Sequence, residues 1–219
     1  MKKKITTESL MPRKAIIAGF LLIVGAGAGY FSFTKLSSTD ADAATCSASL
    51  AAAKAVKSIA SGEVAGFLAA EKPLYLGDLT FVDDQKNQMN ISQVSQTRLM
   101  NLWATWCAPC RKEMPHLDKL QSEMGADDFE VVAVNVDRGE NNAKPKAFLE
   151  EIGVTNLAYY NDHTMTIFQD LRKLGRAPGL PTTVLVGKDG CEIGSMFGPA
   201  DWAAPEAQKL IKAAMEAQG

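Results

Sequence analysis

The chain has 219 residues, 22% of them charged and 47% hydrophobic, which suits one globular core plus an appendage and excludes a largely disordered chain. Its formal net charge of −2 hides an asymmetry: residues 1–36 hold six basic residues and one acid, leaving 17 basic and 24 acidic residues in the remainder. An acidic body with no basic cluster in its sequence argues against a nucleic-acid partner.

Ala15 to Phe33 is a run of 19 residues without a charge. At about 1.5 Å per residue it is long enough to cross a hydrocarbon core of about 30 Å, so a transmembrane anchor is predicted over residues 15–35, behind a tail at 1–14. Lys2, Lys3, Lys4, Arg13 and Lys14 precede the run and only Lys35 closely follows. That bias puts the N-terminus in the cytoplasm and the body outside it. A cleavable signal peptide is the rival reading, since Ala41-Asp42-Ala43 resembles a processing site. The apolar run is longer than a usual signal core, however, and the candidate site lies well downstream of it. Gly25, Gly27 and Gly29 fall within the span and read as small residues for helix packing rather than as a phosphate loop.

Residues 36–45 are short, polar and Ala-rich, a tether. Cys46 to Ala70 is Ala-dense with spaced apolar residues, which predicts a helix that Gly62 can break, and residues 46–72 form a helical extension before a body at 73–219. Leu79–Val82 and Met89–Ser92 read as a hairpin around the turn-rich Asp83–Asn87. Arg98–Thr105 and the Val-rich Phe129–Val136 read as buried strands, and Ala108–Met124 between them as a helix that Pro115 should kink. Beyond them the pattern predicts a helix at Lys144–Ile152 ended by Gly153, a short strand at Asn156–Tyr160, and a helix at His163–Leu174 stopped by Gly175. A terminal hairpin, Pro181–Val186 with Cys191–Phe197, and a closing amphipathic helix at Pro205–Ala217 complete the chain. Strands alternating with helices, then an antiparallel hairpin, imply an α/β fold with a mixed sheet and helices on both faces. No internal repeat or low-complexity tract is visible.

The chemistry concentrates at Trp106-Cys107-Ala108-Pro109-Cys110. Two cysteines three apart, after an apolar run and at the start of a helical pattern, read as a redox dithiol, because a helix N-terminus favours a thiolate. A structural zinc site would need four ligands and there is no second Cys pair; haem attachment would need a His at position 111, which is Arg. No metal or cofactor is therefore expected.

Strand, Trp-Cys-x-Pro-Cys, helix, and later Gly179-Leu180-Pro181-Thr182-Thr183 entering a strand resemble the thioredoxin fold over roughly Pro73 to Gln218. The longer run WCAPCRKEMP, with an insert between Val136 and Pro181, is similar to the membrane-tethered TlpA-type thioredoxin-like proteins and their cytochrome c maturation relatives. The resemblance implies Cys107 as the exposed nucleophile and Cys110 as the resolving thiol. It implies a cis bond between Leu180 and Pro181, with the Leu180 backbone pairing with bound substrate, and Trp106 as an apolar wall; the alternatives are an ordinary trans proline and a core tryptophan. Strongly oxidising members carry a His between the cysteines; Ala108-Pro109 lacks one, so a reducing pair is expected. Thioredoxin places an Asp six residues before the first Cys, where this chain has Asn101, and the relatives place a Glu six residues after it, here Glu113. Glu113 is either a proton relay or a solvated helix charge. His116 and His163 read as bland residues, and Asn90-Ile91-Ser92 as an irrelevant glycosylation sequon.

Cys46 and Cys191 remain, 145 residues apart and both in the extracytoplasmic part. In an oxidising compartment they read as a structural disulfide, which the TlpA resemblance also includes. Lipidation of Cys46 is disfavoured because Ala43-Ala44-Thr45 lacks the expected Leu. By resemblance the chain is a single-pass protein of a bacterial inner membrane, with its body in the periplasm, that reduces protein disulfides and is recharged by a membrane electron donor. The implied substrates are a copper chaperone or the copper-site subunit of cytochrome oxidase, or alternatively apocytochrome c. Rival classes are a copper-binding chaperone with thiol ligands and a binding module with a vestigial motif.

Overall fold

The computed structural model describes residues 45–139 and 142–219; the tail, anchor and most of the tether lie outside the described residues. Among the described residues no helix is long and apolar enough to cross a membrane.

A mixed sheet, eight strands wide among the described residues, organises the body. In chain order the strands are β1 (Leu68–Ala69), β2 (Thr80–Val82), β3 (Gln88–Asn90), β4 (Thr97–Trp103), β5 (Phe129–Asn135), β6 (Tyr160–Asn161), β7 (Thr182–Val186) and β8 (Glu192–Phe197), and in space β1-β8-β7-β4-β5-β6-β2-β3. The helices are α1 (Ser47–Val56), α2 (Ala108–Met124), α3 (Ala143–Glu151), α4 (Thr166–Lys173) and α5 (Pro205–Glu216). β4 lies between β5, which is parallel to it, and β7, which is antiparallel, and all seven of its residues are buried. A strand covered on both faces is mostly apolar, as Leu99, Met100, Leu102 and Trp103 are, and its buried Arg98 and Asn101 are polar exceptions that need partners. Trp103, Phe129, Leu99, Leu117 and Trp202 are among the fully buried side chains that form the core.

Three expectations need correction. The helix predicted over Cys46–Ala70 ends at Val56; Gly62 adopts φ +57, a 3-10 turn follows at Gly62–Val64, and Leu68–Ala69 pairs with β8 as an edge strand. Apolar spacing alone could not distinguish a helix from this broken path, because the edge strand is only two residues long. Its approach to β8 is close: a Cβ on Gly194 would lie 2.5 Å from the Phe67 ring and 2.6 Å from the Leu68 carbonyl oxygen. The strand expected at Asn156–Tyr160 shrinks to Tyr160–Asn161, because the Asp118 carboxylate accepts the backbone N–H groups of Thr155, Asn156 and Leu157 and removes them from any ladder. The helix expected from His163 starts at Thr166. The Asp162 carboxylate accepts from the N–H groups of Thr164 and Ile167, and Met165 takes a left-handed φ of +59 between them.

Pro115 lies inside α2, which runs unbroken from Ala108 to Met124. Cys46 and Cys191 are both fully buried and joined by a disulfide. Beside this bridge the Ser49 hydroxyl contacts the Asp189 carboxylate and donates to the Cys191 carbonyl at 3.0 Å, so α1 is fastened to the β7–β8 turn by polar as well as covalent links. A cross-link spanning 145 residues limits the unfolded chain strongly. Replacing both cysteines by Ala should lower stability by about 2–5 kcal/mol in urea unfolding, with the native fold retained; an unchanged midpoint would show that the bridge is dispensable.

Candidate active site

The dithiol sits where β4 hands over to α2. Cys107 is the N-cap of α2, with extended backbone, and its Sγ accepts the Cys110 N–H at 3.3 Å. Pro109 occupies the first turn, where its missing N–H costs nothing because such groups lack intrahelical partners. Cys107 and Cys110 are joined by a disulfide, so the structure holds the oxidised pair. Cys107 is 5% exposed and Cys110 0%, so the first cysteine alone presents surface to an incoming sulfur. The arrangement follows from sequence: a buried strand delivers the chain to a helix N-terminus, where a thiolate on Cys107 gains from unpaired amide dipoles.

The Leu180–Pro181 bond is cis. Thr182 pairs with Leu102 across the β4–β7 ladder, so Leu180 and Pro181 run beside Trp103 and Ala104, at the end of β4 that leads to Cys107. Pro181 uses its carbonyl to accept the Gly198 N–H at 3.0 Å. Trp106 is not a core residue: it is 64% exposed and forms one wall of an open cleft of about 510 Å³ with Asp137, Arg138, Lys144, Pro145 and Met165.

Glu113 is no solvated helix charge. It is 1% exposed and lies three residues after Cys110, the helical spacing that places two side chains on one face. One carboxylate oxygen accepts from Trp202 Nε1 at 2.8 Å and the Ala200 N–H at 3.2 Å, and the other accepts from Asn101 Nδ2 at 3.0 Å. Asn101 also donates to Thr183 Oγ1 at 2.8 Å. Burial pushes the Glu113 carboxyl up from 4.5 to about 7, against the downward pull of its three donors. Asn101 thus stands in the position of the thioredoxin aspartate as a holder of Glu113. The partners Trp202, Ala200 and Thr183 escaped sequence reasoning. Thr183 lies within the GLPTT motif, but Trp202 and Ala200 sit in a loop with no periodic or motif signal.

The site thus gathers Cys107, Cys110 and Glu113 on the first turns of α2, with Trp106 before them and Leu180-Pro181 on the adjoining strand. Cys46 and Cys191 belong to the bridge between α1 and the β7–β8 turn. His116 stands apart from the dithiol network, its Nδ1 3.0 Å from Asp201 Oδ1 with both side chains partly exposed. No group of three or more His, Cys, Asp or Glu among the described residues could hold a metal ion.

A Redoxin family profile matches residues 41–211. Thioredoxin-like protein YneN of Bacillus subtilis is 50% identical over 58 residues, covering 26% of this chain and 34% of its own length. Thiol-disulfide oxidoreductase ResA of Geobacillus thermodenitrificans is 36% identical over 91 residues, covering 42% of this chain and 48% of its own. The chain therefore spans between a third and a half of the length of these curated relatives. Among solved structures, a thiol:disulfide interchange protein of the thioredoxin family from Chlorobium tepidum TLS matches with a TM-score of 0.54 at 22% identity, over 67% of this chain and 99% of that one. A DsbF homologue from Corynebacterium diphtheriae matches with a TM-score of 0.51 at 22% identity, over 68% and 90%. At these identities the likeness shows the thioredoxin fold.

The raised Glu113 carboxyl makes stability depend on pH in a defined direction. A folded pKa near 7 against an unfolded one near 4.5 means that the folded state holds the extra proton between these values. Its contribution is present in full below the unfolded value and is lost as pH rises through about 7, on the order of 3 kcal/mol altogether. Glu113→Gln, with the Asn101 amide turned to present its otherwise unpartnered Oδ1, should flatten that fall. Urea unfolding at pH 4.5 and pH 8 measures it, and an equal slope in wild type and variant would refute the assignment.

Proposed function

The chain belongs to the Redoxin family, and from that premise we propose that it is a membrane-anchored thiol-disulfide oxidoreductase that reduces disulfides of periplasmic proteins. One observation carries the reading: an N-capping Cys107 disulfide-bonded to a buried Cys110, with the buried carboxyl of Glu113 one turn further along the same helix. The 19-residue uncharged run and the basic residues before it support the anchor and its orientation.

In the reduced protein the Cys107 thiolate attacks one sulfur of a substrate disulfide. A mixed disulfide forms, and the other substrate sulfur leaves as a thiolate and takes a proton from solvent. Cys110 then loses its proton to the Glu113 carboxylate and attacks Cys107 Sγ. The substrate departs with both of its sulfurs reduced, and the pair returns to the disulfide seen here; two electrons have moved from protein to substrate. A membrane dithiol donor restores the reduced pair by the reverse exchange. Leu180 supplies backbone N–H and C=O groups beside the dithiol for an extended substrate segment, and Trp106 its apolar wall. Glu113 is suited to the proton step because a pKa near 7 lets it accept and return a proton at neutral pH.

The absence of a His between the cysteines supports the reducing direction. For substrate, the TlpA resemblance favours thiols of cytochrome oxidase copper-centre assembly, a copper chaperone or the copper-site subunit, over apocytochrome c.

Cys110→Ser should accumulate a mixed disulfide through Cys107 with its periplasmic substrate, recoverable by non-reducing electrophoresis and mass spectrometry; recovery of no partner would count against the reading, and the trapped partner's identity decides between oxidase assembly and apocytochrome c. Equilibration with glutathione should give a dithiol potential well below about −120 mV, the DsbA level. A potential at that level would reverse the direction. With Glu113→Gln the resolving step should slow and lose its rise with pH through about 7, read by stopped-flow release of substrate thiol.

A further inference from the structure

We propose that the cleft beside Trp106 docks an acidic segment of the substrate polypeptide, next to the disulfide that Cys107 attacks; this rests on the oxidoreductase reading above. The cleft adjoins the nucleophile through Trp106. It shares Arg138 and Met165 with a second open cleft of about 500 Å³ that adds Phe168 and Arg172. Arg138 follows β5, Lys144 lies in the first turn of α3 and Arg172 in the last turn of α4, so the fold assembles at one place three cations that the sequence spreads over 35 residues. All three are exposed, and none makes an ion pair among the described residues; Lys173, beside them, is paired with Asp170 at 2.8 Å.

The one acid among the lining residues of the two clefts is outnumbered: Asp137 stands against Arg138 and Lys144 in the first and is absent from the second, where Arg138 recurs with Arg172. Its Oδ2 is turned to the Thr105 N–H at 3.0 Å and Asn135 Nδ2 at 3.1 Å and forms no ion pair with these cations. Nor does the fold account for the cations. A lysine in the first turn of a helix opposes the helix dipole, so Lys144 is placed against the stability of α3. Arg138 Nε lies 3.2 Å from Met165 Sδ, which holds the guanidinium at the rim of both clefts.

Beyond residue 36 the chain carries 24 acidic against 17 basic residues. An acidic segment is therefore repelled by the body at large and attracted at this cleft, which turns the encounter so that the substrate arrives beside Cys107.

The test uses the reduced protein and three disulfide peptides of identical core, flanked by Glu, by Gln or by Lys. At about 10 mM salt, where the Debye length is about 30 Å, the Glu-flanked peptide should be reduced about 10-fold faster than the Lys-flanked one, and at about 1 M salt the gap should close. Arg138→Glu/Arg172→Glu should reverse the order at low salt, and the milder Arg138→Gln should narrow it. Equal rates for the three peptides, faster reduction of the Lys-flanked one, or an order unchanged by charge reversal would overturn the docking site. Uncharged hydroxyethyl disulfide separates the two readings. Its reduction by the wild-type protein with equal peptide rates sinks the cleft alone, whereas a dithiol inert towards it sinks the oxidoreductase as well.

Discussion

The carboxyl of Glu113 joins three parts of the chain that meet nowhere else in sequence. It rises from α2, receives one N–H from Asn101 in the central strand β4, and receives two from the loop at Ala200 and Trp202 that leads into α5. A buried charge is tolerated only where donors surround it, so the loop, the strand and the helix must each be in place for the group to be accommodated. The same enclosure leaves the group balanced between ionised and neutral forms, with burial the larger influence and the three donors opposing it. Structural necessity and chemical usefulness here have one origin, because a carboxyl held more openly would remain charged and a drier one would remain neutral at neutral pH.

Much of this body was legible from pattern. β4, β5, α2 and the β7–β8 hairpin are continuous buried or amphipathic runs, and their periodicity survives into the structure nearly to the residue. What pattern missed depends on contacts made at a distance. Asp118 on α2 takes three backbone N–H groups from residues 155–157, and nothing local announces that a strand-like stretch will lose its ladder to a carboxylate some 40 residues earlier. Likewise the two-residue β1 exists because β8 offers it an edge and Gly194 leaves room for it.

The site divides in the same way. Cys107 and Cys110 are visible as a motif because their spacing is itself the chemistry, and the cis bond before Pro181 is foreseen only through the resemblance of Gly-Leu-Pro-Thr-Thr to the thioredoxin fold, since an X-Pro sequence alone leaves cis and trans both open. Glu113 is ambiguous in the sequence, since spacing alone lets a helix charge one turn from a dithiol face either way, and its enclosure involves Trp202, 89 residues later. The cations of the Trp106 cleft and of the one adjoining it are invisible for the opposite reason. Each is an ordinary surface residue in sequence, and they become a feature only when a strand end, a helix start and a helix end are brought together.

The bond between Cys46 and Cys191 also decides how the body answers to force. Tension applied to the chain before Cys46 and resisted at the C-terminus passes through the sulfur bridge into Cys191 and then along the backbone of residues 192–219, so β4, α2 and the dithiol lie off the covalent load path while the Ala200–Trp202 loop that holds Glu113 lies on it. A covalent short circuit thus spares the two cysteines of the dithiol, while a pull from the N-terminal side is borne by β8, α5 and the loop between them, and reaches the site first at Glu113.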